Sequence, residues 1–391
     1  MKVLLVILHA DPARGGAELY ACHLAERLSA AGHAVSIAAA TFAGVVPPHQ
    51  RVPIEFDGPT RSARYRAFCN GLKRHVRDGD YDVVHAMLPV PVCDIYHPQA
   101  GVETISLQSG TAGKRFWGLI DFKRQAFARV EQRLIDGPRP PLVICMSEKS
   151  RAETAAHFSI ESDRLITLYN GSDDRRFDPE RVSRKGSREG SREGSREGGR
   201  ENARENGREG SREPGRDRPT LLFIGHDYAR KGLDTAIAAL ASVPDAVLRV
   251  LGNEKPGRFA QLARAAGVHD RVQFAGPTPK VHEELAAADA LVLPARFEPF
   301  GMVVIEAMLM GVPPVVSCLA GAAEVVRDGV DGCILPNPDD APAWAAAINR
   351  VLAGNGTMRA ACLARREELS YDRHLEKLLG IYARAVSERV A

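Results

Sequence analysis

The stretch Ala290-Leu-Val-Leu-Pro-Ala-Arg-Phe-Glu298-Pro-Phe-Gly-Met302-Val-Val-Ile-Glu306 changes its period in the middle. Its opening, Ala290–Pro294, is a short continuous apolar run, the pattern of a strand buried on both faces of a parallel sheet. After Gly301 the apolar spacing becomes helical. Glu298 and Glu306 stand eight residues apart, with the glycine between them where the helix begins. Eight residues of helix cover roughly 12 Å, about the length of a sugar joined to a nucleoside through a diphosphate. The free N–H groups and positive dipole end of a helix N-terminus suit that diphosphate. Glu298 then takes sugar hydroxyls and Glu306 ribose hydroxyls, with Phe300, Gly301 and Met302 at the turn. The alternative is two surface carboxylates flanking a core helix; Phe300-Gly301 and the residues described next favour a ligand site.

Strand and helix alternate outward from this stretch in both directions. In the first half Val3–Leu8, Ala34–Ala40, Asp82–Met87 and Leu142–Met146 read as strands. Ala17–Ala31, apolar at 17, 21, 24, 25 and 28, reads as an amphipathic helix closed by Gly32. The second half repeats the rhythm, with strands near 220–225, 246–252, 272–276, 290–294, 312–317 and 332–336. This predicts an α/β protein with two Rossmann-like parallel-sheet domains facing a cleft. The domains expected are 1–170 and 219–370, with 371–391 as a terminal helical segment. Between them, 183–218 repeats Ser-Arg-Glu-Gly, with arginine at every fourth position from 188 to 216 and an acid after each. It has no apolar residue larger than Ala203 and much glycine, so it reads as a linker without fixed structure.

Composition excludes several classes of function. A net charge of +3 over 391 residues is too small to argue for nucleic acid. Seven cysteines without a C-x-x-C pair indicate reduced thiols, not a disulfide framework or zinc site. The apolar start, Met1–Leu8, is too short for a transmembrane helix and runs into His9, Asp11 and Arg14, so it is read as a strand of a cytoplasmic protein. Gly15-Gly16 opens the first helix, where backbone can approach an anion closely. It is not G-x-G-x-x-G, which disfavours a nicotinamide dehydrogenase. Arg230 and Lys231 follow a strand at its carboxyl end, where fixed cations can stabilise a leaving diphosphate without a metal. Asp80-Tyr81-Asp82 has the form of a metal motif but lies at the amino end of its strand, so no metal and no cofactor are expected.

Glu298–Glu306 resembles the E-x-F-G-x-x-x-x-E signature of the retaining glycosyltransferases of family 4, which adopt the GT-B fold. The likeness extends over most of the chain, through Gly15-Gly16-Ala17-Glu18, Gly225–Gly232, Val272–Gly276 and Gly321–Glu324. Asp94-Ile-Tyr96, Arg230–Asp234 and Gly252–Pro256 resemble segments of the members that add glucose to a lipopolysaccharide core. The resemblance implies a nucleoside-diphosphate sugar donor, UDP-glucose foremost, a lipid-linked saccharide acceptor, and retention without a divalent metal. It places Arg230 and Lys231 on the diphosphate, Gly15 and Gly16 beside it, and the last helix back on the first domain. It also marks Asp94, placed in the loop after the carboxyl end of the strand Asp82–Met87, as a candidate for acceptor positioning or proton relay, although a lone loop aspartate is as readily a cap. The chain departs from the family in having His85-Ala-Met87 where many members have His-x-His, and in the adjacency of Arg230 and Lys231.

The segment 114–133 mixes Lys114, Arg115, Lys123, Arg124, Arg129 and Arg133 with Phe116, Trp117, Ile120 and Phe127, which fall outside its apolar stripe. Such a surface suits anionic headgroups and predicts peripheral attachment to the inner face of the cytoplasmic membrane. Two other readings stay open: a catalytically silent nucleotide-sugar-binding protein and a GT-B sugar-nucleotide epimerase.

Overall fold

The continuous apolar runs become the buried strands of two parallel sheets. The computed structural model describes residues 1–99, 101–102, 104, 122–182 and 218–390. Most of the repeat at 183–218, and 114–121 of the basic-aromatic segment, lie outside the described residues. Two compact units result, Met1–Asn170 with Asp372–Ala391, and Gly171–Tyr371.

The first unit contains β1 (Lys2–Val6), β2 (His9–Ala10), β3 (Ala34–Ala39), β4 (Thr41–Phe42), β5 (Arg51–Pro53), β6 (Val83–Ala86), β7 (Ile95–Tyr96), β8 (Leu142–Cys145) and β9 (Leu165–Thr167). Seven of these form one sheet in the order β5-β3-β1-β6-β7-β8-β9, and β2 pairs with β4. Every pairing is parallel, from Val3 opposite Val35 to Val143 opposite Leu165. The second unit holds β10 (Thr220–Ile224), β11 (Val247–Leu251), β12 (Val272–Gly276), β13 (Ala290–Leu293), β14 (Pro314–Ser317) and β15 (Cys333–Leu335), in the order β12-β11-β10-β13-β14-β15.

The strand order reverses in each sheet, between β1 and β6 and between β10 and β13. In open parallel sheets a ligand crevice forms outside the carboxyl ends of strands at such a point. The longer strands begin and end within two residues of the sequence expectation. The short ones, β2, β4, β5, β7 and β9, carry too few residues to show a period and went unread.

Helix α1 (Gly16–Ala30) buries Tyr20, Ala21, Leu24, Ala25 and Leu28 on the expected face. Helix α2 (Arg61–Asp78) buries Tyr65, Phe68, Cys69, Leu72 and Val76 beneath it. In the helix Phe122–Ile135, Phe127 corrects the expectation of a membrane-facing ring: it packs on the core, its ring 4.2 Å from that of Tyr65. No helix among the described residues is long and apolar enough to cross a membrane.

The C-terminal helix, Tyr371–Val390, is tied to the first unit by buried polar contacts. His374 Nδ1 donates to the Tyr169 carbonyl (2.9 Å), which fixes its tautomer and leaves Nε2 to accept from the Tyr20 hydroxyl (2.8 Å). His85 Nδ1 meets the Tyr382 hydroxyl at 2.8 Å, and its ring stacks 5.4 Å from His97. Burial holds these imidazoles neutral: His85 falls to about 3, His374 to about 4, and His97 well below its usual range.

Candidate active site

At the β10/β13 reversal, two loops from adjacent strands converge. The first is Gly225–Gly232 after β10; the second is Pro294–Gly301 after β13. Gly301 adopts φ +98°, a left-handed turn that favours glycine, and caps helix α3 (Met302–Leu309). Val303, Val304, Ile305, Ala307, Met308 and Leu309 are buried, so α3 is a core helix. Met302 and Glu306, four residues apart and therefore on one face, are its only half-buried positions.

The Glu298 loop is stitched to the segment Gly321–Val325: the Gly321 N–H donates to the Glu298 carbonyl (3.1 Å) and Ala322 N–H to that of Phe300 (2.7 Å). The Phe300 ring is buried, so that residue holds the loop through packing as well as its backbone.

Opposite lies the cationic pair. Lys231 Nζ stands 2.9 Å from Glu298 Oε2, and Arg230 Nη1 3.4 Å from the same oxygen. The Lys231 and Glu298 side chains are 13% and 12% exposed, so this pair is far less screened than a surface ion pair. Arg230 Nη1 also donates to the Phe297 carbonyl (2.6 Å), and Asp227 Oδ1 accepts from the Arg230 N–H (3.1 Å). The stem of Lys231 lies across Gly225: a Cβ there would stand 2.1 Å from Lys231 Cδ. Only glycine lets the lysine cross at that height.

Two arginines that the sequence reading missed complete the group. Arg296 grips Asp234 in a fork (2.9 and 3.0 Å), donates to the Ala229 carbonyl (2.6 Å) and to Asp339 (2.8 Å), and its own N–H reaches the Arg230 carbonyl (2.9 Å). It braces the backbone that carries Arg230 and Lys231. Its signal was its place just past a strand's carboxyl end, two residues before Glu298. Arg176 lies in a stretch to which no motif pointed, and its charge reaches Glu306. Burial pushes the Glu306 carboxyl up to about 7, against the opposing pull of Arg176 and Lys231. Arg230 and Lys231 therefore face Glu298, with Asp227 engaging Arg230, while Lys231 and Arg176 favour the charged form of Glu306.

The structure thus brings together Arg230, Lys231, Glu298, Phe300, Gly301, Met302 and Glu306, all in the second unit. Gly15, Gly16 and Asp94 lie in the first. Gly15 precedes α1 without a side-chain cap, and the Glu18 carboxylate stands 3.0 Å from where its Cβ would be. Asp94 lies beside the amino end of β6, not the carboxyl end: its Oδ2 accepts the Val84 N–H (2.7 Å) and faces Arg389 at 3.7 Å. Burial raises its carboxyl above the ordinary value, with the Val84 bond and Arg389 opposing. Asp80 and Asp82 share that edge, engaged by the Lys2 ammonium (2.5 Å) and its N–H (2.7 Å).

Residues 205–367 match the family described as Glycosyl transferases group 1, and residues 14–176 match Glycosyltransferase Family 4. Together they span most of the chain. It belongs to the family 4 glycosyltransferases. It is 25% identical to the lipopolysaccharide glucosyltransferase WaaG of Escherichia coli K12 over 330 residues, covering 83% of this chain and 82% of that one. It is 26% identical to a D-inositol 3-phosphate glycosyltransferase of Mycobacterium marinum, covering 100% of this chain and 87% of that one. A crystal structure of WaaG superposes with a TM-score of 0.74 at 22% identity, covering 97% and 99% of the two chains. HepE of Anabaena in complex with UDP and glucose gives 0.70 at 18% identity, covering 98% and 99%. The fold is GT-B, and the chain is a glycosyltransferase enzyme.

Proposed function

We propose that this glycosyltransferase moves glucose from UDP-glucose to a lipid-linked saccharide such as a lipopolysaccharide core, with retention and without a divalent metal. The observation that carries the donor half is the placement of Lys231 and Arg230 against Glu298 beside the left-handed turn that opens α3. In this reading Lys231 and Arg230 take the diphosphate, whose negative charge grows as the sugar leaves. Fixed cations that need no rearrangement stabilise that change most. Glu298 is released from Lys231 toward sugar hydroxyls, while Glu306, on the half-buried face of α3, accepts from ribose hydroxyls. Gly15 and Gly16 contribute backbone N–H groups at the start of α1. Glu298 is engaged by Lys231 and Arg230 and serves sugar hydroxyls in this reading, so leaving-group departure and acceptor attack take place on one face of the sugar.

Similarity to WaaG favours glucose and a lipopolysaccharide acceptor, and HepE, whose structures hold UDP and glucose, favours the same donor. The mycobacterial relative is as similar, and its name gives a different acceptor, so the donor half of the proposal is the better supported. Peripheral attachment to the cytoplasmic membrane through 114–133 belongs to the same proposal. It rests on sequence composition and on Arg129 and Arg133, which are exposed.

The purified protein titrated with a panel of nucleoside-diphosphate sugars should bind UDP-glucose most tightly and hydrolyse it slowly without acceptor. Binding without turnover would favour the silent carrier, and donor converted to an epimer would favour the epimerase.

A further inference from the structure

The first unit holds a cavity of about 340 Å³ outside the carboxyl end of β1, lined by Leu8, His9, Arg14, Phe56, Arg61, Arg64 and Tyr65. That volume is at the lower end of small-molecule sites. Three guanidiniums and an imidazole line it, and no carboxylate is among the described lining residues. Arg14, Arg61 and Arg64 are exposed, and none has an ion-pair partner among the described residues. Arg64 is aimed by its Nε, which donates to the Gly58 carbonyl at 3.0 Å and leaves the terminal nitrogens. The apolar walls are fixed as well. Tyr65 is buried and donates its hydroxyl to the Pro89 carbonyl, and His9 Nδ1 is held by Thr41 Oγ1 at 2.8 Å with the ring edge-on to Phe56.

The placement of the arginines carries a cost that folding alone does not explain. Arg61 and Arg64 occupy the first turn of α2, where the positive end of the helix dipole disfavours cations, and no acid in that turn offsets them. Local choices that oppose the electrostatics of their own helix are expected at functional or strained sites. A dianion would meet two or three guanidinium forks together with the dipole, while Phe56 and Tyr65 offer apolar faces to a ring.

We infer that this cavity binds a phosphate monoester carried by the acceptor. This rests on the reading of the protein as a transferase with a separate acceptor, and it names that acceptor's class. A phosphorylated saccharide and a phosphate-bearing lipid headgroup present the same chemistry, so the experiment has an arm for each.

The full-length protein is first saturated with UDP, so that Arg230 and Lys231 are occupied, then titrated calorimetrically with glucose 6-phosphate and with glucose. Glucose 6-phosphate should bind at least tenfold more tightly, and Arg14→Gln/Arg61→Gln should remove that advantage. The corresponding lysine pair should keep part of it. Both positions are exposed, so an unchanged melting temperature certifies the variant, and Arg64→Gln provides an independent second. In the other arm, cosedimentation with phosphatidic acid vesicles that the same variant abolishes, without glucose 6-phosphate binding, assigns the phosphate to a lipid. Equal affinity for the two sugars with no variant-sensitive vesicle binding overturns the inference, as does binding that the variants leave unaltered. Should UDP itself fail to bind, the donor reading fails, and the same titrations run without UDP still decide the cavity.

Discussion

The carboxyl edges of the two sheets are built to opposite electrical plans. In the second unit, cations lie against a carboxylate at 2.9 and 3.4 Å, largely shielded from water and braced by Arg296. In the first, three exposed guanidiniums line a cavity, while the buried imidazoles of that unit are held neutral. A shielded, cross-braced pair is fixed before a ligand arrives, so it can be aimed at charge that develops only during reaction. Open guanidiniums, with Arg64 steadied only through its Nε and none paired to a carboxylate among the described residues, are suited to binding a charge that is already present. The contrast therefore predicts turnover effects in the second unit and affinity or stability effects in the first.

The largest effect should come from the braced pair. Lys231→Ala or Arg230→Ala should lower turnover by about 10²–10³ while UDP-glucose affinity falls less, since stabilisation is greatest as the diphosphate leaves. Activity should also survive excess EDTA. Steady-state kinetics showing only a raised KM would move the pair from the chemistry to simple binding and erase the contrast.

Glu306 sharpens the comparison through pH. Its carboxyl is raised by burial from 4.5 to about 7, so between those values the folded protein binds more protons than the unfolded chain. Stability from this group is therefore highest below the unfolded value and declines as pH rises toward 7, by up to about 3 kcal/mol when the shift is converted. Glu306→Gln should raise the melting temperature at pH 8 and leave it nearly unchanged at pH 4. The same substitution should weaken UDP binding. A variant no more stable at pH 8 would mean that Arg176 and Lys231 already compensate the buried charge.

The two glutamates should then separate. Glu306→Ala should weaken UDP itself, and Glu298→Ala should weaken UDP-glucose but not UDP, each by roughly 1.5–3 kcal/mol. Equal loss of UDP affinity in both would show that the ends of the site are not divided between sugar and ribose.

How much of this was legible before the structure follows from the same contrast. The donor loops were readable because strand, glycine turn and core helix each leave a distinct period, as in Ala290–Glu306. Arg296 and Arg176 were not, because bracing is a matter of what the chain meets across space, and neither sits in a spaced motif. The cavity arginines were hidden for a further reason: Arg14 and Arg61 are 47 positions apart, and arginine on a helix surface is ordinary in sequence. Asp94 shows the opposite error. The loop after β6 was read as lying at the carboxyl edge, but β7 opens with Ile95 opposite His85 and the Asp94 N–H donates to the Val84 carbonyl, which returns Asp94 to the amino edge.

That placement gives the smallest expected effect. Asp94→Asn keeps the shape of the side chain but replaces a carboxylate that accepts the Val84 N–H and faces Arg389. An intact hydrogen bond of this kind contributes about 1 kcal/mol, so the variant should melt a few degrees lower. Turnover should stay within a few-fold of the parent, since at the amino edge the carboxylate acts on its own strand. A hundredfold loss of turnover with an unchanged melting temperature would restore Asp94 to acceptor positioning or proton relay. It would also show that the first unit does more than bind.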